Sequence, residues 1–407
     1  MNNMKKKLFE GLKVADFGWV AEGPMIAKYL SDYGAEVVRL EGRKRPEPMR
    51  ARGPHKDGVI GLDRSGSSNQ WNTSKLSLAI NLSKPGGVEI AKKIVAWADI
   101  VIENFSGGAM AEMGLGYDEL KKIKRDIIML STCMMGQTGP YASSPGTGSL
   151  LPALSGMVHI HGWPERMPIQ PGAYTDWVAI HYNVTALLAA LDYRRRTGDG
   201  QYIDISQYEA NVHFLAPLVL DYSVNKRIGG RIGNHCDYAA PHNAYRCLGE
   251  EKWCTIAVFN DEEWGNLCRV IGNPIWTKDN KFSSLLTRKE NEDGLDKLIE
   301  EWTIKHTAEE VMKLMQASGV TAGILESGED LMEYDPQIKH RQFFYELNHP
   351  EIGKYRASRA GCFIFSKDSC ELKSAPLLGE HNEHILKDIL GLRDEEIAQF
   401  VIDGVIE

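Results

Sequence analysis

The feature that most constrains this chain is the exchange, through its first half, of short β-branched runs with stretches of helical periodicity. That alternation is the signature of βαβ units around a mostly parallel sheet. Leu12-Lys13-Val14-Ala15-Asp16-Phe17 reads as the opening strand. Over 24–33 the apolar Met25, Ile26, Tyr29 and Leu30 recur at helical spacing, with Pro24 suited to the first turn and Gly34 to the stop. Glu36-Val37-Val38-Arg39-Leu40, Leu76-Ser77-Leu78-Ala79-Ile80, Asp99-Ile100-Val101-Ile102-Glu103 and Asp126-Ile127-Ile128-Met129-Leu130-Ser131 read as further strands, with helices over 87–97 and 117–123. The strongest helix runs over 177–196, with Arg194-Arg195-Arg196 at its negative end and Gly198 as the stop, and Gln201-Tyr202-Ile203-Asp204-Ile205-Ser206 follows it as a strand. Between 135 and 171 Gly, Pro and Ser are dense, which predicts a long loop region over the sheet, and a long loop in a compact fold is usually functional.

A length of 407 residues exceeds the ~250–300 at which one core stops growing, so two domains are expected. From 229 to 320 the character shifts to Trp- and Cys-containing strands and polar helices, a smaller α+β domain. The expected division is 1–225 for the first part of a large catalytic domain, 226–325 for the small domain, and 326–407 for a segment returning to the large one. Lys and Arg total 47 against 55 Asp and Glu, which leaves no overall basic footprint for nucleic acid or an anionic membrane. No run supplies the ~18 apolar residues of a membrane span; even the stretch 180–191 is interrupted by His181, Asn183 and Thr185. The start of the chain lacks the apolar stretch of a secretion signal, its Lys5-Lys6-Lys7 run reads as surface, and the seven cysteines contain no Cys-x-x-Cys pair; a cytoplasmic protein with reduced thiols is expected.

In an open parallel sheet ligands gather beyond the carboxyl ends of the strands, which here carry Phe17-Gly18-Trp19, Arg39, Asn104-Phe105 and Thr132-Cys133-Met134. The turn after the first strand, Gly18-Trp19-Val20-Ala21-Glu22-Gly23, has the wrong glycine spacing for a dinucleotide fingerprint and a carboxylate where pyrophosphate would lie, so ordinary NAD binding is not expected. Asp176 opens the strongest helix after Pro171-Gly172-Ala173-Tyr174-Thr175. It reads either as a helix cap or as a carboxylate nucleophile kept ionised by the helix dipole beside Trp177, and spacing alone does not choose. His159 and His161 stand in a His-x-His pattern that reads as one face of a strand. His235, Cys236, His242, Cys247 and Cys254 lack zinc-ligand spacing, and no metal is expected. Arg43-Lys44-Arg45 with Arg50 and Arg52 is a basic run suited to solvent or to a nucleotide, while Trp19, Met134, Met135, Trp163, Met167 and Trp177 suit core or substrate contact.

Several motifs then occur in a telling order. Ala21-Glu22-Gly23-Pro24, Gly34-Ala35-Glu36-Val37-Val38-Arg39-Leu40-Glu41, Asn72-Thr73-Ser74-Lys75, Ala98-Asp99-Ile100-Val101-Ile102-Glu103-Asn104-Phe105, Gly136-Gln137-Thr138-Gly139-Pro140-Tyr141, Tyr174-Thr175-Asp176 and Gly198-Asp199-Gly200-Gln201-Tyr202 span most of the first half. Asp335-Pro336, His349-Pro350 and Ala375-Pro376-Leu377-Leu378-Gly379-Glu380-His381 continue it. The series resembles the class III coenzyme A transferases, the formyl-CoA and carnitine CoA-transferase family.

The resemblance implies a Rossmann-like large domain, a small α+β domain, and two chains interlocked as rings, either a homodimer or a heteromer with a related subunit. It implies CoA transfer from an acyl-CoA, succinyl-CoA being one donor, to a bulky aromatic or branched acid such as benzylsuccinate, in anaerobic aromatic or organic acid metabolism. Asp176 would form a mixed anhydride, and acyl-CoA would be a substrate with no metal involved. By family position Val20, Ala21, Arg39, Lys75, Asn104 and Phe105 would hold CoA, and Trp19, Met135, Gly136, Gln137 and Trp177 would line the substrate or oxyanion region. Ser106-Gly107-Gly108 replaces an Arg-Pro-Gly, Ala21 a Gln, Gln137 a Glu, and Val258-Phe259-Asn260 a glycine-rich loop, changes that favour a roomier apolar acyl site over formyl transfer. Two alternatives follow from the same family. One is an acyl-CoA racemase or isomerase, which lacks its His because the relevant segment reads Gly146-Thr147-Gly148; the other is a noncatalytic subunit of a heteromer.

Overall fold

The computed structural model describes residues 7–362, 364, 365, 370 and 372–407, so most of the amino-terminal lysine run lies outside the described residues. One compact unit comprises 1–157, 170–227 and 337–407, and a second comprises 158–169 and 228–336.

The first unit is built on six strands, β1 (Lys13–Asp16), β2 (Glu36–Glu41), β3 (Leu76–Ala79), β4 (Ile100–Glu103), β5 (Ile128–Cys133) and β6 (Tyr202–Ser206). They pair in parallel in the order β3-β2-β1-β4-β5-β6. The order reverses between β1 and β4, and that is where the carboxyl ends of a doubly wound sheet open a crevice. Alternation explains why both faces are covered. Val14, Val37, Ile100, Ile102, Ile128 and Leu130 pack with Ile26 and Leu30 of α1 (Glu22–Ser31). Ala15, Val38, Leu40, Val101 and Met129 point the other way, onto Ile90, Ala91 and Ile94 of α2 (Pro85–Trp97) and Leu120 of α3 (Tyr117–Ile123). With period-two side chains apolar on both faces, each strand reads as a near-continuous hydrophobic run.

The long helix α4 (Tyr174–Thr197) joins the first of these faces through Ile180, Leu187 and Ala190, and Gly198 closes it in the left-handed conformation. After β6 come α5 (Gln207–Phe214), capped by Ser206 Oγ accepting from Glu209 N, and α6 (Ala216–Asn225). The carboxyl-terminal segment lies along β3: Ala79 N donates to Asn382 Oδ1 at 2.8 Å, and Asn81 N to the Val405 carbonyl at 2.8 Å. The predicted loop over 135–171 contains two helical turns, Leu151–Leu154 and Met157–Ile160. His159 therefore sits on a helical turn and not a strand, and both His159 and His161 are exposed. Four residues of alternating type fit either period, and here the turn prevailed.

The second unit has an antiparallel sheet, β7 (His242–Arg246), β8 (Trp253–Ala257) and β9 (Thr321–Ile324). It packs on α7 (Asp261–Val270), α8 (Glu292–Thr303) and α9 (Ala308–Ala317) through Tyr245, Cys254, Ile256, Leu267, Leu295, Ile299, Val311 and Met315. Among the described residues no helix is long and apolar enough to cross a membrane.

Candidate active site

Asp176 occupies the third position of α4, and Ala173, not Asp176, is the cap. The capping reading is thereby corrected: the carboxylate lies inside the first turn, where the positive end of the helix favours an anion. The residue is 8 % exposed, and its Oδ1 is buried without a hydrogen-bond partner among the described residues. A buried acceptor left unmade costs on the order of 1–3 kcal/mol, so such an atom calls for a functional explanation. Gly148 makes room for it. A Cβ at residue 148 would lie 2.6 Å from Oδ2 and 2.7 Å from Cγ of Asp176, and Thr175 Oγ1 fixes this loop by donating to the Gly148 carbonyl at 3.1 Å. Burial pushes the Asp176 carboxyl up to about 6, with the Gln207 amide pulling the other way.

A second acid accompanies it. Glu22, the first residue of α1, is 2 % exposed. Its Oε1 accepts from Thr132 Oγ1 on β5 and Asn183 Nδ2 on α4, each at 2.9 Å, and its Oε2 accepts from the Gln207 amide on α5. Burial first, and then the negative charge of Asp176, push Glu22 up to about 8. The carboxyl ends of β1, β5 and β6 and the start of α4 thus converge on two carboxyl groups. Sequence reasoning registered Glu22 as an obstacle to pyrophosphate and as part of a family motif without giving it a role, Asn183 only as an interruption of an apolar run, and it passed over Gln207. A polar residue inside an otherwise apolar helix face was the available signal for Asn183.

The predicted CoA residues fall in two groups. At the reversal point Asn104 clamps Trp19, accepting from its N–H at 2.7 Å and donating to its carbonyl at 2.8 Å, and Phe105 packs edge-on against the Trp19 ring with centroids 5.6 Å apart. The same turn holds Val20 at φ 60°, an outlier for a β-branched side chain, and Glu47 Oε1 accepts the Val20 N–H at 2.8 Å. Ala21, buried, caps α1. Arg39 and Lys75 belong to the second group: both charged heads are enclosed by protein. Arg39 donates to the Gly18 carbonyl at 2.9 Å and lies 3.4 Å from Asp16, 3.5 Å from Glu41 and 3.8 Å from Glu47. Lys75 Nζ donates to Asp16, the Pro24 carbonyl and Asn72 Oδ1 at 2.8–2.9 Å. These two cations brace the floor of the turn, whereas Arg43, Lys44 and Arg45 are exposed and Arg45 lies over the Trp19 ring at 5.8 Å.

Met135 and Gln137 are half-buried and Gly136 is buried, with a φ of 84° that suits glycine. Gln137 faces Glu103 and Gly108: its Oε1 accepts from Gly108 N at 3.2 Å, its Nε2 donates to Glu103 at 3.4 Å, and its backbone N–H reaches Asp204 at 3.0 Å. Glu22 feels the Asp176 carboxylate through its charge, and Gln207 meets it through its amide. Trp177 is 47 % exposed and meets Trp71 edge-on at 6.5 Å. No group of three or more His, Cys, Asp or Glu is arranged to hold a metal among the described residues.

Comparison with known proteins accords with this geometry. The model of CoA-transferase family III matches residues 9–382. A succinyl-CoA–D-citramalate CoA-transferase of Chloroflexus aurantiacus is 30 % identical over 401 residues, covering 98 % of each chain. The human succinyl-CoA:glutarate CoA-transferase is 29 % identical over all of this chain and 91 % of its own. The beta subunit of a succinyl-CoA–L-malate CoA-transferase of C. aurantiacus is also 29 % identical, over 95 % of each chain. Among solved structures, a CAIB/BAIF family protein from Brucella suis superposes with a TM-score of 0.86 at 28 % identity, covering 95 % of this chain and all of its own. A family model matched over residues 9–382, with a relative 30 % identical along nearly the whole of both chains, makes this chain a member of CoA-transferase family III.

Proposed function

We propose that this protein moves coenzyme A from an acyl-CoA, with succinyl-CoA as the donor, to a second carboxylic acid by way of acylated Asp176. The observation that carries the reading is the Asp176 carboxylate: buried, at the positive end of α4, with Oδ1 unpartnered and Gly148 keeping its face clear. Asp176 attacks the thioester carbonyl; the C–S bond breaks, leaving an aspartyl mixed anhydride and CoA thiolate. The thiolate attacks the aspartyl carbonyl, releasing the first acid and forming an aspartyl–CoA thioester. The carboxylate of the second acid displaces the thiolate again, and the thiolate takes the new acyl group, restoring the Asp176 carboxylate. A mixed anhydride survives only where water is excluded, which burial of Asp176 favours.

Relatives named for citramalate, glutarate and malate support a dicarboxylic acceptor. Benzylsuccinate is such a diacid with an aromatic branch, and the Trp71–Trp177 pair supplies an apolar face suited to it. The Trp19–Val20–Ala21 turn, with Asn104 and Phe105, receives the pantetheine end, and exposed Arg45 over Trp19 receives the nucleotide end. The functional form is a dimer: α6 has no buried residue and presents Val219, Leu220, Tyr222 and Val224, each more than half exposed.

The test is incubation with succinyl-CoA, trapping with hydroxylamine or borohydride, and mass spectrometry of the peptide containing residue 176. Modification at Asp176, absent from D176A, is expected. A wild type that transfers CoA among these diacids while Asp176 stays unmodified overturns the reading.

A further inference from the structure

The transfer chemistry leaves Glu22 without a task, although it is among the most enclosed acids of the site. The groups packed on its carboxyl come from three elements: Thr132 of β5, Asn183 of α4 and Gln207 of α5, none of them charged. Asp176, also on α4, is the one charged group acting on it. A buried anion is ordinarily matched by a cation, and two neighbouring carboxylates without one do not both ionise. Three further atoms of the cluster are buried without a partner among the described residues, Gln207 Oε1, Asp176 Oδ1 and Asn183 Oδ1. The amide nitrogen and oxygen of a glutamine are told apart only by the hydrogen bonds they make, so the orientation of Gln207 follows from where the proton sits.

We infer that Glu22 is a positioning residue for Asp176 that works as the neutral acid: its O–H donates to Gln207 Oε1, and the Gln207 amide N–H donates in turn to the Asp176 carboxylate. One proton on Glu22 then gives Gln207 Oε1 and Asp176 a partner each and leaves a single negative charge, on the residue that must attack. The inference rests on Asp176 as the acylated group, because what it explains is how that carboxylate is aimed. The opposed acid strengths agree: burial and the charge of Asp176 hold Glu22 up at about 8, while Asp176, relieved by Gln207, stands near 6. Between those values the pair carries one proton, and it resides on Glu22. Above them Glu22 ionises, the Gln207 amide turns to it, and Asp176 loses its donor.

Two measurements on the intact protein test this. Infrared difference spectroscopy of the wild type, titrated from pH 6 to 10, is expected to show a protonated carboxyl band that disappears near pH 8, is missing from E22Q, and titrates at lower pH in D176N, where the neighbouring charge is gone. The rate of Asp176 acylation by succinyl-CoA, followed by quenched mass spectrometry, should fall about tenfold per pH unit on the alkaline limb in the wild type. E22Q presents a neutral donor at every pH and loses that limb, so at pH 9 it acylates about tenfold faster than the wild type, a gain that a merely structural role would not produce. E22L, with no donor, is slow at every pH. Absence of the carboxyl band at pH 7, or an E22Q limb identical to that of the wild type, overturns the inference. A wild type that shows the band yet never carries label on Asp176 overturns the transfer reading instead.

Discussion

Gly148 lies so close to Asp176 that the place of a Cβ at residue 148 is 2.6 Å from the carboxylate Oδ2, inside any contact a real side chain makes. The glycine is required by this approach and by nothing in the local backbone, since its φ is not in the left-handed region. Gly148→Ala should therefore fold normally and displace the carboxylate. A misplacement near 1 Å costs about a hundredfold in rate, so kcat is expected to drop by about that factor with the melting temperature unchanged. Steady-state kinetics beside thermal denaturation checks both halves, and a G148A enzyme of normal kcat removes Asp176 from the chemistry.

The burial that prepares Asp176 also makes it a stability liability. Its carboxyl stands at about 6 in the fold against an ordinary 3.8, so at pH 7 it is ionised in both states and the folded state bears the whole cost of holding the charge. That cost is about 2–3 kcal/mol for a shift of this size. It vanishes as pH falls from 6 to 4, where the fold takes up the proton before the unfolded chain does. Asp176→Asn should accordingly melt a few degrees above the wild type at pH 7.5, with the gain shrinking to nothing near pH 4. Calorimetry across that range decides it; a variant less stable at pH 7.5 contradicts the assignment of strain to this carboxylate.

How much of this was legible in the sequence depends on the range of the interactions. The central strands announce themselves because Val14, Ile100, Ile102, Ile128 and Leu130 on one face and Ala15, Val101 and Met129 on the other make near-continuous apolar runs. Asp176 is visible as a carboxylate at a helix start, although only the folded helix separates a third-position residue from a cap. Glu22, Gln207 and Gly148 were not legible as a site, since each is ordinary where it stands in the chain and they meet only when β1, β5, β6 and α4 are assembled. Arg39 and Lys75 show a related limit. A cation at a strand end reads as a ligand contact, and only the assembled fold shows the buried carboxylates of Asp16, Glu41 and Glu47 around it.

The clamp of Asn104 on Trp19 makes a separate prediction. Its two hydrogen bonds join the ends of β1 and β4 and hold a turn in which Val20 is already strained. Asn104→Ala leaves both backbone groups without that partner, at about 1–3 kcal/mol, and lets the turn relax. A rise in KM for succinyl-CoA of about tenfold is expected, with a smaller effect on kcat because Asp176 lies on another element. Equal losses in both constants would place the turn in the chemical step.

Burial separates two arginines of the turn, Arg39 and Arg45. Arg39 is wholly buried among three carboxylates; without it Asp16 keeps Lys75 and Glu41 keeps Arg50, but Glu47 loses its nearest cation, so Arg39→Ala should destabilise the protein by about 3 kcal/mol, the low end of what breaking a buried ion pair from one side costs. Arg45 is exposed and touches the Trp19 ring, so Arg45→Ala should leave the melting temperature unchanged. The lost contact with a phosphate or a ring is then worth about 0.5–1 kcal/mol, which is about a twofold to fivefold rise in KM for acyl-CoA that fades as salt is added. The two variants should thus fail in different experiments, R39A in denaturation and R45A in salt-dependent kinetics. A folded R39A protein with a raised KM would return Arg39 to the CoA contact that its position in the sequence first suggested.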